Sequence, residues 1–148
     1  MPHMKFTGVL DVREAWQSPP DYRFSVPEDD LHVKFLDAFL SSSQEVLIYR
    51  YFVIEGRLTQ QIQVLLARGD GEWVLKLDRA FPVLRTPGVK LLLATVGAWA
   101  QGRGLQKLSS TIGAFEARGS FYAAHAPAGR SEGGRWVFAS APEETSTQ

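Results

Sequence analysis

The pattern of apolar residues is most unusual between Thr86 and Gln101, where the predicted helix is apolar on nearly every side. Lys90 is its only charged residue. Pro87 in the first turn indicates a helix start, and Gly102 and Gly104 indicate its end. The segment is too short to cross a membrane. Because such a helix must be covered on most sides, it is either buried within one domain or part of an oligomer interface.

A second segment, Glu45–Glu55, also carries apolar residues on both of its faces. This pattern predicts a central strand that is covered on both sides. The helix and this strand together offer more apolar surface than one sheet and one layer of helices readily cover, and a homodimer would cover the excess. The candidate interface residues are Leu91, Leu92, Val96 and Trp99. Burial within one chain is the alternative, and the sequence does not decide between the two.

Three consecutive strands are predicted in the middle of the chain, at Glu45–Glu55, Arg57–Arg68 and Glu72–Asp78. In the second and third strands, apolar residues alternate with polar ones, as expected for strands with one buried face. The connection between them contains Asp70 and Gly71, a pair that tolerates the positive φ angles of tight hairpins. We therefore expect an antiparallel three-stranded meander.

A helix is predicted before the meander, at Pro27–Leu40. Acidic residues follow Pro27 in its first turn, where the helix dipole favours anions. Leu31, Phe35 and Phe39 then recur at the helical period. Earlier in the chain, alternation predicts a strand at Lys5–Val12 and a short strand at Tyr22–Val26.

The last third of the chain is rich in glycine and aromatic residues, and its pattern predicts further strands. They are expected near residues 108–116, at Phe121–Ala123 and at Arg135–Ala139, with a loop at residues 126–134. Residues 142–148 are expected to be a disordered tail. The length fits one domain, which we assign to residues 1–141.

These elements predict an α+β fold, with a single antiparallel sheet and two helices packed on one face. From Pro27 to Ala124, the order of helix, three strands, helix and two strands resembles the fold shared by type III secretion chaperones and the YbjN family. The resemblance implies a small cytoplasmic protein that dimerises and binds other proteins without catalysis. Two features depart from that fold: strands precede the first helix, and strands replace its C-terminal helix.

The amino-acid composition excludes several kinds of catalytic and metal-binding site. The chain has no cysteine, which excludes disulfides, thiolate nucleophiles and cysteine-bound metals. It contains no HExxH or GxSxG motif. The Gly102-Arg103-Gly104 segment follows a helix, whereas glycine-rich phosphate loops precede one, so we interpret it as a helix stop. We expect no enzymatic activity and assign no catalytic residue, cofactor or metal.

Charge is uneven along the chain although the formal net charge is zero. Residues 80–141 hold seven Lys or Arg and two Asp or Glu, a local net charge of +5, with aromatic residues interleaved. Cations can contact phosphates and exposed aromatic rings can stack on unpaired bases. The candidate nucleic-acid contacts are Arg103, Lys107, Arg118, Phe121, Tyr122, Arg130 and Arg135. The alternative is that the aromatic residues point into the core and the cations coat the opposite face.

The sequence therefore supports two function classes. The first is a non-catalytic, chaperone-like or adaptor protein that binds an unknown protein partner, acts as a homodimer and is cytoplasmic, with no membrane segment. The second is a single-stranded nucleic-acid-binding protein that uses residues 80–141.

Overall fold

The computed structural model describes residues 1–125, 130–132 and 135–137. Nine strands and three α-helices are found in these ranges. The strands are β1 His3–Thr7, β2 Arg23–Val26, β3 Leu31–Leu40, β4 Val46–Glu55, β5 Leu58–Gly69, β6 Glu72–Leu77, β7 Gln106–Ser110, β8 Arg130–Glu132 and β9 Arg135–Val137. The helices are α1 Val12–Gln17, α2 Pro87–Gly102 and α3 Glu116–His125, and 3-10 turns lie at Pro27–Asp29 and Gly113–Phe115.

Seven strands form one antiparallel sheet in the order β2-β3-β4-β5-β6-β1-β7. The sheet curls into a half-barrel, and its inner face packs on α2. The predicted α+β class and single antiparallel sheet are confirmed. The sheet, however, extends well beyond the three-stranded meander, and of the three α-helices only α2 was predicted.

The meander is confirmed as β4, β5 and β6, which pair in antiparallel register. Each turn residue of the hairpin between β5 and β6 has the backbone angle expected: φ is 54° at Asp70 and 76° at Gly71. Two consecutive positive φ angles match the twist of the flanking strands. The short strand at Tyr22–Val26 is also confirmed, as β2.

The predicted helix at Pro27–Leu40 is wrong, since the chain forms the 3-10 turn and then β3. Leu31 and Val33 are buried at the period of a strand. A β-bulge between Phe35 and Asp37 then shifts the alternation by one residue, so that Ala38 and Leu40 pack inward. Leu31 and Phe35 are four residues apart, which places them on one face of a strand as well as of a helix, and the shift then turns Phe39 to the outer face. The element order behind the chaperone resemblance contained this helix.

Helix α2 is confirmed, with Thr86 as its N-cap. One side faces the sheet, where Trp99 packs edge-on against Tyr49 of β4. Another side meets α3, where Gly119 lies directly against Ala94. The sheet and α3 together cover the helix, which explains why it is apolar on nearly every side.

Two other predictions fail near the ends of the chain. The first strand ends at Thr7, and α1 begins after its N-cap Asp11, whose side chain accepts a hydrogen bond from the Glu14 N–H. Residues 116–125 form α3, so Phe121–Ala123 lie in a helix and not in a strand. The predicted strand near residues 108–116 is confirmed only as far as Ser110.

Strands β8 and β9 form a separate antiparallel hairpin, in which Arg130 is opposite Val137 and Glu132 is opposite Arg135. The strand predicted at Arg135–Ala139 is thus confirmed over its first three residues. The predicted loop at residues 126–134 contains β8 and is wrong there. Its other residues, the end of the predicted strand and the predicted tail lie outside the described ranges.

Candidate functional site

The outer face of the sheet is the first candidate surface. On β4, the inward side chains, such as Leu47 and Tyr49, are fully buried, whereas the outward ones, such as Ile48 and Phe52, are only partly buried. The prediction that both faces of this strand are covered therefore holds for the inner face. Among the described residues, α1 and α2 both contact β4 on its inner face, through Tyr49.

Cross-strand register joins the outward apolar side chains into one patch. Ile48 is opposite Phe39 on β3 and Leu65 on β5. One step along, Ala67 is opposite Val46 on β4 and Val74 on β6. Phe39 is 47% exposed. We call these residues the outer cluster: Phe39, Val46, Ile48, Leu65, Ala67 and Val74.

An ion pair fixes one border of the outer cluster. Arg50 donates from Nε and Nη2 to the two carboxylate oxygens of Asp37, at 2.6 and 2.5 Å. Its guanidinium carbon lies 5.4 Å from the centre of the Phe39 ring. The hydrogen bonds from Arg50 hold the pKa of Asp37 below its usual range. This border of the patch therefore consists of two oppositely charged side chains that hold each other in a fixed geometry.

The edge strands of the sheet are less suitable for binding a protein partner than its outer face. The edge strands β2 and β7 have four and five residues. A register shift at Lys5 and Phe6 interrupts the pairing of β1 with β7. Short or bulged edges disfavour the addition of another strand. The face of the sheet is therefore the better surface for protein binding.

The predicted interface residues lie elsewhere. Leu91, Leu92, Val96 and Trp99 are at most 8% exposed, and the same chain covers them. The structure thus corresponds to the first alternative for this helix, burial within one chain. The sequence did not identify the outer cluster as exposed because β4 has the pattern of a strand covered on both sides.

Three of the five candidate nucleic-acid cations each contact a carboxylate. Arg103 pairs with Glu14 of α1. Lys107 on β7 pairs with Glu116 at 2.7 Å, and Arg118 on α3 contacts Asp29 at 2.9 Å. Arg130 and Arg135 lie on β8 and β9. Phosphates would have to compete with these carboxylates for the first three cations.

The candidate aromatic residues are not arranged as an open stacking platform. Tyr122 is buried, and its ring stacks on Phe24 of β2 with the centroids 4.4 Å apart. Phe121 is partly buried between Tyr122 and His125. This corresponds to the alternative in which the aromatic residues belong to the core.

A cleft between α2 and α3 is the second candidate site. Its volume is about 530 Å³, and Tyr22, Trp99 and Arg103 lie on its wall. The Arg103 guanidinium carbon is 5.2 Å from the centre of the Trp99 ring. The sequence drew attention to Arg103 only as a phosphate contact, and it gave no signal for Tyr22, because the two residues are distant along the chain.

Within the described ranges, no group of three or more His, Asp or Glu side chains is arranged to hold a metal ion. No helix in the same ranges is long and apolar enough to cross a membrane. No protein-family model matches the chain. A search of solved structures also found no match.

Proposed function

We propose that the chain acts by binding protein and not by catalysis, and that its first partner is a second copy bound through the outer cluster. One observation carries the proposal: six apolar side chains from four strands form a continuous patch at the centre of a broad sheet. A contiguous apolar patch on a protein surface is typical of a protein-binding site.

The position of the patch suits a face-to-face dimer. Two sheets pack through apolar side chains on their facing surfaces, about 10 Å apart. In a two-fold dimer the same patch meets itself, so it must tolerate its own charges. Here Arg50 and Asp37 neutralise each other within one chain. Lys76, opposite Leu65, and Lys5, opposite Val74, border the patch on its other side, so in a dimer these two lysines would have to lie at the rim, where water still reaches them.

The area that a stable dimer must bury sets a further requirement. A stable interface buries on the order of 800 Å² on each partner. Six side chains form only the apolar centre of such an area, so polar neighbours on the same face, such as Gln61 and Gln63, would form its rim. An adaptor or chaperone-like role would follow if an apolar segment of another protein competed for this face.

The test is the mass in solution of wild type and of Ile48→Lys, by light scattering after size exclusion at micromolar concentration. We expect the wild type to have twice the mass of the 16.5 kDa chain. A lysine side chain at the centre of the patch would place two like charges together across the interface, so the Ile48→Lys variant should be a monomer. Val9→Lys is the matched control, because Val9 is 88% exposed in the connection between β1 and α1, outside the sheet. It should remain a dimer.

Circular dichroism shows whether each variant is folded. A wild type that is monomeric throughout the micromolar range would refute the homodimer. A folded Ile48→Lys variant that stays dimeric would place the interface on another surface.

A further inference from the structure

The hydroxyl of Tyr22 differs from those of two neighbouring tyrosines. Tyr49 and Tyr51 donate to backbone carbonyls. Tyr22 is 4% exposed and lines the cleft between α2 and α3. Its hydroxyl forms no hydrogen bond with another described residue and is not among the fully buried unpaired atoms. The hydroxyl is therefore accessible from the cleft and can donate to a ligand there.

Arg103 brings a positive charge to the same cleft. Its Nη1 donates to Glu14, and its guanidinium lies over Trp99. A guanidinium has five N–H donors in a planar fork, and this contact uses one edge of it. Arg103 and Tyr22 both lie on the wall of this cleft. An acceptor bound in the cleft is therefore within the space that both donors face.

The rest of the wall consists mainly of small residues, with Gln101 as a further polar side chain. Ala98 of α2 and Ser120 and Ala123 of α3 lie along it, and the volume of about 530 Å³ is in the range of small-molecule sites. Small side chains leave a smooth wall between the two helices. The apolar part of a ligand fits along this wall when the charged group of the same ligand lies near Arg103.

We propose that this cleft binds a small organic anion, a carboxylate or a phosphate monoester with an apolar body. The anion accepts hydrogen bonds from Tyr22 and Arg103, and the apolar body lies along the wall formed by α2 and α3. The ligand competes with Glu14 for the guanidinium. The site is separate from the outer cluster and does not depend on the proposed dimer.

The protonation state of Tyr22 agrees with this role. Burial raises the pKa of Tyr22 to about 12, although the charge of Arg103 opposes the shift. The hydroxyl therefore keeps its proton at neutral pH and can donate it to an anion.

Calorimetric titration with hexanoate, hexyl phosphate and neutral hexanol tests the proposal. Wild type should bind at least one of the anions in a saturable way and should bind hexanol much more weakly. The anion that binds more tightly identifies the ligand class. Arg103→Gln should weaken binding by about tenfold or more, because a charge-assisted bond is lost. Tyr22→Phe should weaken it by a smaller factor.

Arg68 offers a matched control for Arg103. Its guanidinium carbon lies 5.9 Å from the Trp73 ring centre, and it pairs with Glu45 at 3.7 Å, so it repeats the Arg–Trp–Glu arrangement away from the cleft. Arg68→Gln should bind like the wild type. Glu14→Gln should strengthen binding, because it removes the competing carboxylate. This variant tests the role of Arg103 even if Arg103→Gln does not fold.

Three results would overturn the proposal. The first is the absence of saturable binding of both anions to folded wild type. The second is equal binding of hexanol and the anions. The third is an equal loss of binding in Arg103→Gln and Arg68→Gln.

Discussion

The hydroxyl of Tyr49 donates a hydrogen bond to the carbonyl oxygen of Ala15 at 2.8 Å, across 34 residues of sequence. Tyr51, two residues further along the same strand, donates to the carbonyl of Pro20 at 2.5 Å. The two tyrosines hold α1 and the following proline-containing loop against the inner face of β4. This segment in turn positions Glu14 beside Arg103, and Tyr22 at the cleft.

We expect Tyr49→Phe to lower the free energy of unfolding by about 1–3 kcal/mol, since the change leaves the Ala15 carbonyl without its donor in a buried place. Urea unfolding measures the loss. Tyr22→Phe is the control, because its hydroxyl has no hydrogen-bond partner among the described residues and its removal should have a smaller effect. Equal losses in the two variants would show that the bond to Ala15 contributes little.

High pH should destabilise the fold. Burial raises the pKa of Tyr22 from 10.0 to about 12, and it also raises the pKa of Tyr49 and Tyr51. Below pH 10 these hydroxyls are protonated in both states. Between pH 10 and about pH 12, the unfolded chain loses protons that the folded chain retains, so stability falls as pH rises.

Urea unfolding at increasing pH measures this dependence. Tyr22→Phe should show a shallower fall, because one of the contributing groups is absent. A wild-type stability that stays constant from neutral pH to about pH 12 would contradict the prediction.

The elements that were predicted correctly are those whose pattern is decided locally. The hairpin at Asp70 and Gly71 needs only two residues that accept positive φ, and α2 is marked by Thr86, Pro87 and a closing glycine. Strand β3 was missed because the bulge after Phe35 is a property of its pairing with β4. No periodicity within one segment reveals such a shift.

The candidate sites were less predictable because they depend on contacts between distant segments. Helix α3 contains Gly119, which local propensity disfavours, and its close packing on Ala94 is visible only in three dimensions. Tyr22 and Arg103 both line the cleft although they are distant along the chain. The exposure of Ile48 likewise depends on what covers the sheet, which the pattern of one strand does not show.

Trp99→Asp should prevent folding. Trp99 is 8% exposed, and the substitution removes its packing on Tyr49 and places a carboxylate in the core. The combined cost is about 4 kcal/mol or more. Circular dichroism and a thermal melt measure the outcome. Leu108→Asp, at a residue 52% exposed, should fold normally. A folded, monomeric Trp99→Asp variant would instead place this residue at an interface.

Oligonucleotide binding should be weak. Arg103, Lys107 and Arg118 already contact carboxylates, and the chain has no net charge. Fluorescence anisotropy with labelled single- and double-stranded oligonucleotides, at low and moderate salt, measures the affinity. Tight binding that falls steeply with salt would support a nucleic-acid role. In that case, replacing these three cations with glutamate should abolish the binding and leave the fold intact.

Gly119→Ala should destabilise the protein even though alanine favours a helix. A Cβ at residue 119 would lie 2.6 Å from the carbonyl carbon of Ala94 and 2.8 Å from its Cβ, so α3 would have to move away from α2. Overpacking of this kind costs about 1–3 kcal/mol, which exceeds the gain of about 1 kcal/mol in helix propensity.

Gly102→Ala is the matched control, because a Cβ at the end of α2 would meet nothing within 4 Å. It should leave the free energy of unfolding unchanged or slightly raised. Since α3 also forms one wall of the cleft, Gly119→Ala should weaken anion binding. If both substitutions stabilised the protein equally, the close contact between α2 and α3 would be refuted.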